Sequence, residues 1–323
     1  MLDILSITGP IYLCIAAGYS SVHWKLFSAA DMRVFGRFVI QIALPALLFN
    51  ALASRPLAEV ANPAYLLAYG LGSLLLVAVA LLWARRFMGR GLTEATYEAM
   101  GMTCSNSGYV GYPVMLLTFG PLAGVILALN LIVENLLVIP TLLALADAGA
   151  HQGARPSLAL LLRQTFARLA RNPMIIAIVV GFAFSMTGWT LPSVLSRTVT
   201  LFSAASGGLA LFIIGGSLVG LRVKGLRRQV GQIALGKLVL HPLCVWGALT
   251  LLPLLGLPAL SGDLRAAAVL SAAMPMLGVY SLLASRHGFE GFTAAALLAV
   301  TGASFFTLSV VLWLMRHTAG WLH

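Results

Sequence analysis

Two stretches of the 323-residue chain decide its architecture: Gly101-Met-Thr-Cys-Ser-Asn106-Ser-Gly-Tyr-Val-Gly-Tyr-Pro113 and Ala272-Ala-Met-Pro275-Met-Leu-Gly278-Val-Tyr280. Each places glycine and proline near the middle of an apolar segment, where a continuous helix would lose hydrogen bonds. At membrane depth, main-chain groups freed by such a break need protein, water or a ligand as partners. A pair of kinked helices that merely pack is one interpretation. Interrupted segments at matching positions in two halves of a chain favour the other, a binding site near the midplane.

The composition around these stretches is that of a membrane protein. Hydrophobic residues make up 60% of the chain, charged residues 9%, and the mean hydropathy is +0.97, whereas a soluble domain carries about 25% charged residues. Segments near the roughly 20 apolar residues that span a bilayer occur ten times, at about 4–22, 31–53, 64–84, 95–119, 121–146, 172–188, 191–219, 229–254, 264–285 and 291–316. The sequence therefore predicts an all-α polytopic membrane protein with ten transmembrane helices.

The distribution of basic residues predicts the orientation. The net charge is +11, and 16 of the 20 Lys and Arg flank every second connection between segments, while the opposite side holds only Arg55, Arg197, Arg265 and Arg316. Because basic loops stay in the cytoplasm, this alternation predicts that both termini lie outside. It also explains the positive charge without a nucleic-acid partner.

The ten segments divide into two sets of five. We predict a first repeat over 1–150, a cytoplasmic linker over 151–171 with a short amphipathic helix, and a second repeat over 172–323. An odd number of helices forces the second set to enter the membrane from the other side, so the sets are predicted to be inverted repeats, the architecture of many carriers.

Ionisable side chains inside apolar segments are candidates for function because they are costly there. Glu134 lies one helical turn after Asn130 and next to Asn135, and Lys237 lies one turn before His241. Glu134 could carry a proton, pair as a carboxylate with Lys237 or His241, or act as a static clamp between helices. Lys237 could instead extend to the headgroups, and His241 could be a packing residue or a pH sensor.

Other functional classes lack their motifs. The chain has no G-x-x-x-x-G-K-[ST] phosphate loop, no H-E-x-x-H and no C-x-x-C, so we predict no ATP-driven pump, metal site or cofactor. Serines next to the glycines of the first stretch have no His–Asp partner pattern, so we predict no catalytic residues and no enzyme.

Several motifs resemble the auxin efflux carrier family, and within it the bacterial branch described as malonate or malate permeases. The resemblance covers nearly the whole chain, and the motifs that carry it are Asn106-x-x-x-x-Gly111-x-Pro113, Arg171-Asn172-Pro173, Leu211-Phe-Ile-Ile-Gly215, Lys237-Leu-Val-Leu-His-Pro242, Pro275 to Ala284, and Glu134-Asn135 ahead of Pro140 and Ala144-Leu-Ala-Asp147.

This resemblance implies an elevator-type carrier in which helices four and nine are broken and cross. Helices 1, 2, 6 and 7 would form the scaffold and homodimer side, and helices 3–5 and 8–10 the transport domain. Asn106 and Pro113 match the first crossover, and Pro275 matches the second. Relatives often have asparagine four residues after the second proline, whereas this chain has Val279, which removes a polar contact for the substrate.

The sequence thus predicts a secondary transporter of a small mono- or dicarboxylate, such as malonate or malate, in the bacterial inner membrane, with proton or sodium coupling. The predicted substrate-binding residues are Asn106, Ser107, Gly108, Tyr109, Gly111, Pro113, Pro275, Met276, Leu277, Gly278 and Val279. The predicted coupling or supporting residues are Asn130, Glu134, Asn135, Lys237 and His241. The competing hypotheses are a sodium–proton antiporter, a membrane enzyme and a substrate-sensing receptor.

Overall fold

The structure is a computed structural model that describes residues 2–53, 55, 62–150, 163, 166–220, 227–256 and 260–317. Within these ranges every extended regular element is a helix, and no strand is present. The α-helices, in chain order, are α1 (Leu2–His23), α2 (Ala29–Phe38), α3 (Leu44–Ala53), α4 (Pro63–Phe87), α5 (Leu92–Thr103), α6 (Tyr112–Phe119), α7 (Ala123–Val133), α8 (Ile139–Ala150), α9 (Pro173–Thr187), α10 (Ser193–Ser217), α11 (Arg227–Leu235), α12 (His241–Leu251), α13 (Gly262–Ala273), α14 (Tyr280–Ser285) and α15 (Glu290–His317).

Several helical stretches are long and apolar enough to cross a bilayer. Among the described residues there are six: Ala29–Ala53, Pro63–Phe87, Ser107–Ala150, Ser193–Ser217, Arg228–Leu251 and Glu290–Met315, with the shorter apolar helix Pro173–Thr187 besides. The fold is therefore all-helical and suited to a multi-pass membrane protein. The count of ten helices and the inverted repeats stay predictions, and most of the predicted linker helix within 151–171 lies outside the described residues.

The long stretch Ser107–Ala150 contains the boundary between the predicted fourth and fifth segments. Gly120 has a φ of +56°, a region that glycine enters without steric cost. A single 3₁₀ turn over Gly120–Leu122 follows, and α7 begins after it. The α-helical conformation is thus interrupted at Gly120-Pro121, where the apolar segments nearly touch in sequence.

Among the residues that the structure describes, four π-helical turns interrupt the α-helices, and each precedes a proline. Proline cannot donate to the carbonyl four residues earlier and clashes with it, and widening the preceding turn by one residue relieves both problems. The turns are Val39–Ala43, Ser107–Gly111, Glu134–Val138 and Gly236–Leu240, and the prolines, each the second residue of the following α-helix, are Pro45, Pro113, Pro140 and Pro242. Glu134 and Lys237 both lie in such turns.

The described chain forms two compact units. The first comprises 1–62, 107–129 and 168–221, and the second comprises 63–106, 130–167 and 222–323. The predicted division into scaffold and transport domain stays a prediction.

In the first unit, small residues let α1 and α10 pack closely. A Cβ atom added at Gly18 would collide with the main chain of Phe212, and one at Gly215 with the main chain of Ile15. Close backbone approach through small residues is a common way for helices to associate in lipid. In the same unit Asn172 caps α9, because its side-chain oxygen accepts a hydrogen bond from Met174 N at 3.0 Å.

In the second unit, α4 packs closely on α12. A Cβ atom at Gly72 would lie 2.6 Å from Val245 Cα, so only glycine permits this approach. The opposite face of α4 is apolar and open, with Leu75 53% and Leu82 65% exposed, as suits a surface that contacts lipid. One face of α4 therefore points its side chains into the unit, and it is this face that carries the polar groups described next.

Candidate functional site

Two helices of the second unit break and meet at the break. Helix α5 ends at Thr103 and α13 at Ala273, and the residues that follow, Cys104 and Met274, have extended backbone. Ser105 and Met276 then form an isolated antiparallel bridge. Because both segments leave the helical conformation at the same place, their main-chain groups can pair with each other.

Two main-chain hydrogen bonds hold the bridge together. Asn106 N donates to Pro275 O at 2.8 Å, and Leu277 N donates to Cys104 O at 3.0 Å. The two breaks therefore satisfy these two amides reciprocally.

One flank of the bridge is open. Pro275 and Met276 are buried, whereas Gly278 and Val279 are exposed, Val279 to 40%. Asn106 is 7% exposed, and a Cβ atom added at Gly278 would lie 3.8 Å from its Nδ2 atom. The Asn106 amide group and the exposed turn at Gly278 are therefore neighbours, and glycine keeps the space between them free.

The predicted residues from Ser107 to Pro113 belong to the first unit. Ser107 is 3% exposed and begins the π-helical turn that ends at Gly111. The Tyr109 hydroxyl donates to Gly36 O at 3.1 Å, and a Cβ atom at Gly108 would meet the Leu44 side chain at 3.1 Å. Within this unit the segment packs against the helical stretch that contains α2 and α3.

Lys237 is buried completely beside the first break. Its Nζ atom donates to Ser105 Oγ at 2.7 Å and to Ala272 O at 3.0 Å, and it lies 2.9 Å from His241 Nδ1. Three acceptors match the three N–H groups of an ammonium ion. The alternative that Lys237 extends to the headgroups is wrong, because its exposed fraction is 0%.

His241, also 0% exposed, joins Lys237 to α4. Its Nε2 atom lies 2.9 Å from Ser73 Oγ, and its Nδ1 atom lies 3.2 Å from Ala272 O as well as near Lys237. When Nδ1 accepts from Lys237, the ring proton is on Nε2 and points to Ser73. When Lys237 is a neutral amine, Nδ1 can carry the proton and donate to Ala272 O. Both tautomers find partners here.

Glu134 is linked to Lys237 through two other side chains. The Tyr69 hydroxyl lies 3.1 Å from Glu134 Oε1 and 3.2 Å from Ser105 Oγ, and Ser105 is the direct partner of Lys237. Two hydroxyl groups therefore link the two side chains. The pairing of Glu134 as a carboxylate with Lys237 or His241 stays a prediction.

Asn130 and Asn135 have other partners. Asn130 Oδ1 accepts from the Tyr65 hydroxyl at 2.8 Å, and its Nδ2 donates to Ser271 Oγ at 2.8 Å. Asn135 Nδ2 donates back to Leu131 O of its own helix at 2.9 Å. Asn130 and Glu134 therefore contact successive tyrosines of α4, one helical turn apart.

The partners of these side chains were not predicted from the sequence. Tyr69, Ser73 and Ser105 connect Glu134, Lys237 and His241, whereas Tyr65 and Ser271 contact Asn130. Tyr65, Tyr69 and Ser73 carried a usable signal, because spacings of four residues place them on one face of an otherwise apolar helix. A stripe of polar side chains on a helix long enough to span a bilayer indicates a face that contacts polar partners.

Similarity to known proteins covers nearly the whole chain. Residues 7–314 match the family described as membrane transport protein. A protein of Rhizobium meliloti named "Putative malonate transporter" is 26% identical over 324 residues, covering 99% of this chain and 98% of that protein. An "Uncharacterized transporter YfdV" of Escherichia coli K12 is 26% identical, covering 94% of this chain and 95% of its own length. An "Uncharacterized transporter" of Methanothermobacter thermautotrophicus is 26% identical over 87% of each chain.

Proposed function

Because the chain belongs to the family of membrane transport proteins, we propose that it is a secondary carrier of small organic anions, with malonate or malate as substrate. The resemblance to the auxin efflux carrier family is confirmed, and the chain is a membrane transporter, not an enzyme. The name of the Rhizobium meliloti relative supports a dicarboxylate.

The observation that carries this proposal is the bridge between the two breaks. Asn106 and Leu277 donate main-chain hydrogen bonds across it, so the extended segments are held in place without a ligand. Preorganised polar groups at such a break are the usual place for a substrate in carriers with interrupted helices. The bridge also has one exposed flank at Gly278 and Val279.

The chemistry of this flank suits a carboxylate. The Asn106 amide offers two N–H donors next to the open turn at Gly278. The buried Lys237 ammonium supplies positive charge nearby. It donates a hydrogen bond to Ser105, the residue that precedes Asn106 in the first break. Leu277 and Val279 complete the flank. The buried Pro275 and Met276 stay in the proposal as candidate contacts, as do the residues that continue the chain from Asn106: Ser107, Gly108, Tyr109, Gly111 and Pro113.

Transport would follow the elevator scheme of the resembled family. Helices 3–5 and 8–10 would carry the substrate past a scaffold of helices 1, 2, 6 and 7, in a homodimer of the bacterial inner membrane with both termini outside. Glu134, Lys237 and His241, supported by Asn130 and Asn135, would balance the substrate charge with a coupled proton or sodium ion.

Exchange of malonate in proteoliposomes tests the proposal. Vesicles loaded with unlabelled malonate should accumulate radiolabelled malonate from outside, and Asn106→Ala should abolish this counterflow. The variant should still fold, because the main-chain donor at 106 that holds the bridge is unchanged. Thr103→Val is the matched control: the Thr103 hydroxyl donates to Ala99 O of its own helix at 2.8 Å, so its removal should leave counterflow intact.

Other outcomes identify the competing classes. Full counterflow by Asn106→Ala would remove that side chain from the binding site. Sodium flux without any organic substrate would identify an antiporter, and saturable malonate binding without exchange would identify a receptor.

A further inference from the structure

The most extended polar structure in the described chain is a row of hydrogen-bonding groups that crosses the core of the second unit. It runs from Glu134 Oε1 to the Tyr69 hydroxyl at 3.1 Å, to Ser105 Oγ at 3.2 Å and to Lys237 Nζ at 2.7 Å. We call it the Glu134–Lys237 chain. Its four members come from four different segments, and each is at most 3% exposed.

Both ends of this chain carry a charge that burial disfavours. An ammonium or carboxylate removed from water is costly unless it is compensated. Here the two groups are linked through two hydroxyl groups. The pair can therefore exist as ammonium and carboxylate or as amine and carboxylic acid, and both states retain the hydrogen bonds of the chain.

The conversion between these states is balanced. Lys237 Nζ gives a proton to Ser105 Oγ, Ser105 gives its own hydroxyl proton to the Tyr69 oxygen, and Tyr69 gives its proton to Glu134 Oε1. One N–H and two O–H bonds break, three O–H bonds form, and both hydroxyls are regenerated. Ser105, whose hydroxyl donates to Ser271 O at 2.9 Å, has only to rotate its O–H toward Tyr69.

His241 accommodates either state of Lys237. Its Nδ1 atom faces both Lys237 Nζ at 2.9 Å and Ala272 O at 3.2 Å. It can accept from the ammonium or, as the other tautomer, donate to the carbonyl. The lysine end of the chain therefore keeps its hydrogen bonds when the proton leaves.

No other charged group lies inside this cluster among the described residues. The remaining titratable neighbours are Tyr65, Cys104 and His241. Glu98, buried in the middle of α5, contacts Arg90 and Gln229 instead. Asp263 and Glu290 are exposed in the first turns of α13 and α15.

From this geometry we propose that Glu134 and Lys237 form one proton-binding unit, joined by Tyr69 and Ser105, that takes up one proton with each substrate anion. This inference rests on the proposed function. An anion beside Asn106 adds negative charge one residue from Ser105, so it holds Lys237 in the ammonium form. The internal proton is then no longer available to Glu134, and a second negative charge at Glu134 is unfavourable. Glu134 therefore takes its proton from water, and the carrier is a proton symporter.

Transport under a pH gradient tests the coupling. Malonate-loaded vesicles first establish counterflow without a gradient, which tests the proposed function alone. With the outside acidic, wild-type protein should then accumulate malonate several-fold above its level without a gradient, and Glu134→Gln, Tyr69→Phe and Ser105→Ala should lose this stimulation. Tyr69→Phe and Ser105→Ala keep both charges, so either remains informative if the other does not fold.

Tyr65→Phe is the matched control for Tyr69→Phe. Both tyrosines lie on α4, both are 0% exposed, and both hydroxyls are hydrogen bonded, but the Tyr65 hydroxyl contacts Asn130 and is not part of the chain. Tyr65→Phe should retain the response to the gradient. If Tyr69→Phe and Ser105→Ala retain it as well while Glu134→Gln loses it, Glu134 acts alone and the proton-binding unit is refuted.

Infrared difference spectra tell failure of the inference from failure of the proposed function, because they need no substrate. When the pH of purified wild-type protein is changed, a carboxylic acid C=O band should appear. This band should be absent in Glu134→Gln, appear at a different pH in Lys237→Gln, and be unchanged in Tyr65→Phe. A band present without malonate exchange would support the unit and reject the substrate. Malonate exchange by protein that shows no such band would refute the proton-binding unit. A band that appears at the same pH in wild-type protein and in Lys237→Gln would refute it as well.

Discussion

Replacement of Gly101 by alanine should destabilise the second unit, because this glycine makes room for the second break. A Cβ atom at Gly101 would lie 2.7 Å from the Tyr280 hydroxyl oxygen and 3.0 Å from Ile233 Cγ2. Tyr280 begins α14 directly after the break, is 0% exposed, and donates to Tyr97 O at 2.7 Å. It cannot move away without breaking that hydrogen bond, so the added methyl group has no space.

The magnitude follows from three contributions. Overpacking a filled core costs about 1–3 kcal/mol, and loss of the Tyr280 hydrogen bond costs about 1 kcal/mol more. Alanine in a helix gains about 1 kcal/mol over glycine, which offsets part of this cost. The net expectation is a loss of about 1–3 kcal/mol. At Gly247 of α12 nothing lies within 4 Å of an added Cβ atom, so Gly247→Ala should gain about 0.5–1 kcal/mol.

Thermal unfolding of the purified protein in detergent, followed by tryptophan fluorescence, measures both variants. Gly101→Ala should lower the apparent melting temperature and Gly247→Ala should raise it or leave it unchanged. Adding Tyr280→Phe to Gly101→Ala should cost less than the sum of the two single changes, because the crowded hydroxyl is gone. A melting temperature for Gly101→Ala that equals that of Gly247→Ala would refute the close contact between α5 and the second break.

Two further predictions concern a helix cap and the exposed turn. Asn172→Ala should lower the stability of the protein by about 1 kcal/mol, because the hydrogen bond to Met174 N that caps α9 is lost, while Asn172→Ser should retain most of it in the same melting assay. Val279→Asn should lower the malonate concentration for half-maximal counterflow about fivefold, since one added hydrogen bond contributes about 1 kcal/mol. An unchanged or higher half-saturating concentration would exclude the side chain at 279 from contact with the substrate.

Much of the helical fold could be predicted because apolar length and glycine–proline punctuation act locally. The breaks after Thr103 and Ala273 fall in the two stretches where the sequence places them. The π-helical turns were not predicted, since a proline inside a helix can be accommodated by a kink, a break or a widened turn. Packing around each proline selects among these, and sequence periodicity carries no signal for that choice.

The site was predicted only in part. Asn106, Glu134 and Lys237 stand out in sequence because polar or charged groups are rare inside apolar segments. Their hydrogen-bonding partners do not stand out, because a tyrosine or serine on an apolar helix is as often a packing residue as a hydrogen-bonding one. Ser105 and Lys237 are 132 residues apart in the chain, and no local pattern indicates that they touch.

Protection of the exposed turn by substrate is the most direct test of the proposal that the paired breaks bind a carboxylate. Gly278→Cys, introduced after Cys14, Cys104 and Cys244 have been replaced by alanine, puts a thiol beside the Asn106 amide group. Malonate should slow alkylation of this thiol in proteoliposomes, while alkylation of Gly247→Cys in the same background should proceed at an unchanged rate. Equal labelling of Gly278→Cys with and without malonate, in protein that exchanges malonate, would contradict the proposal.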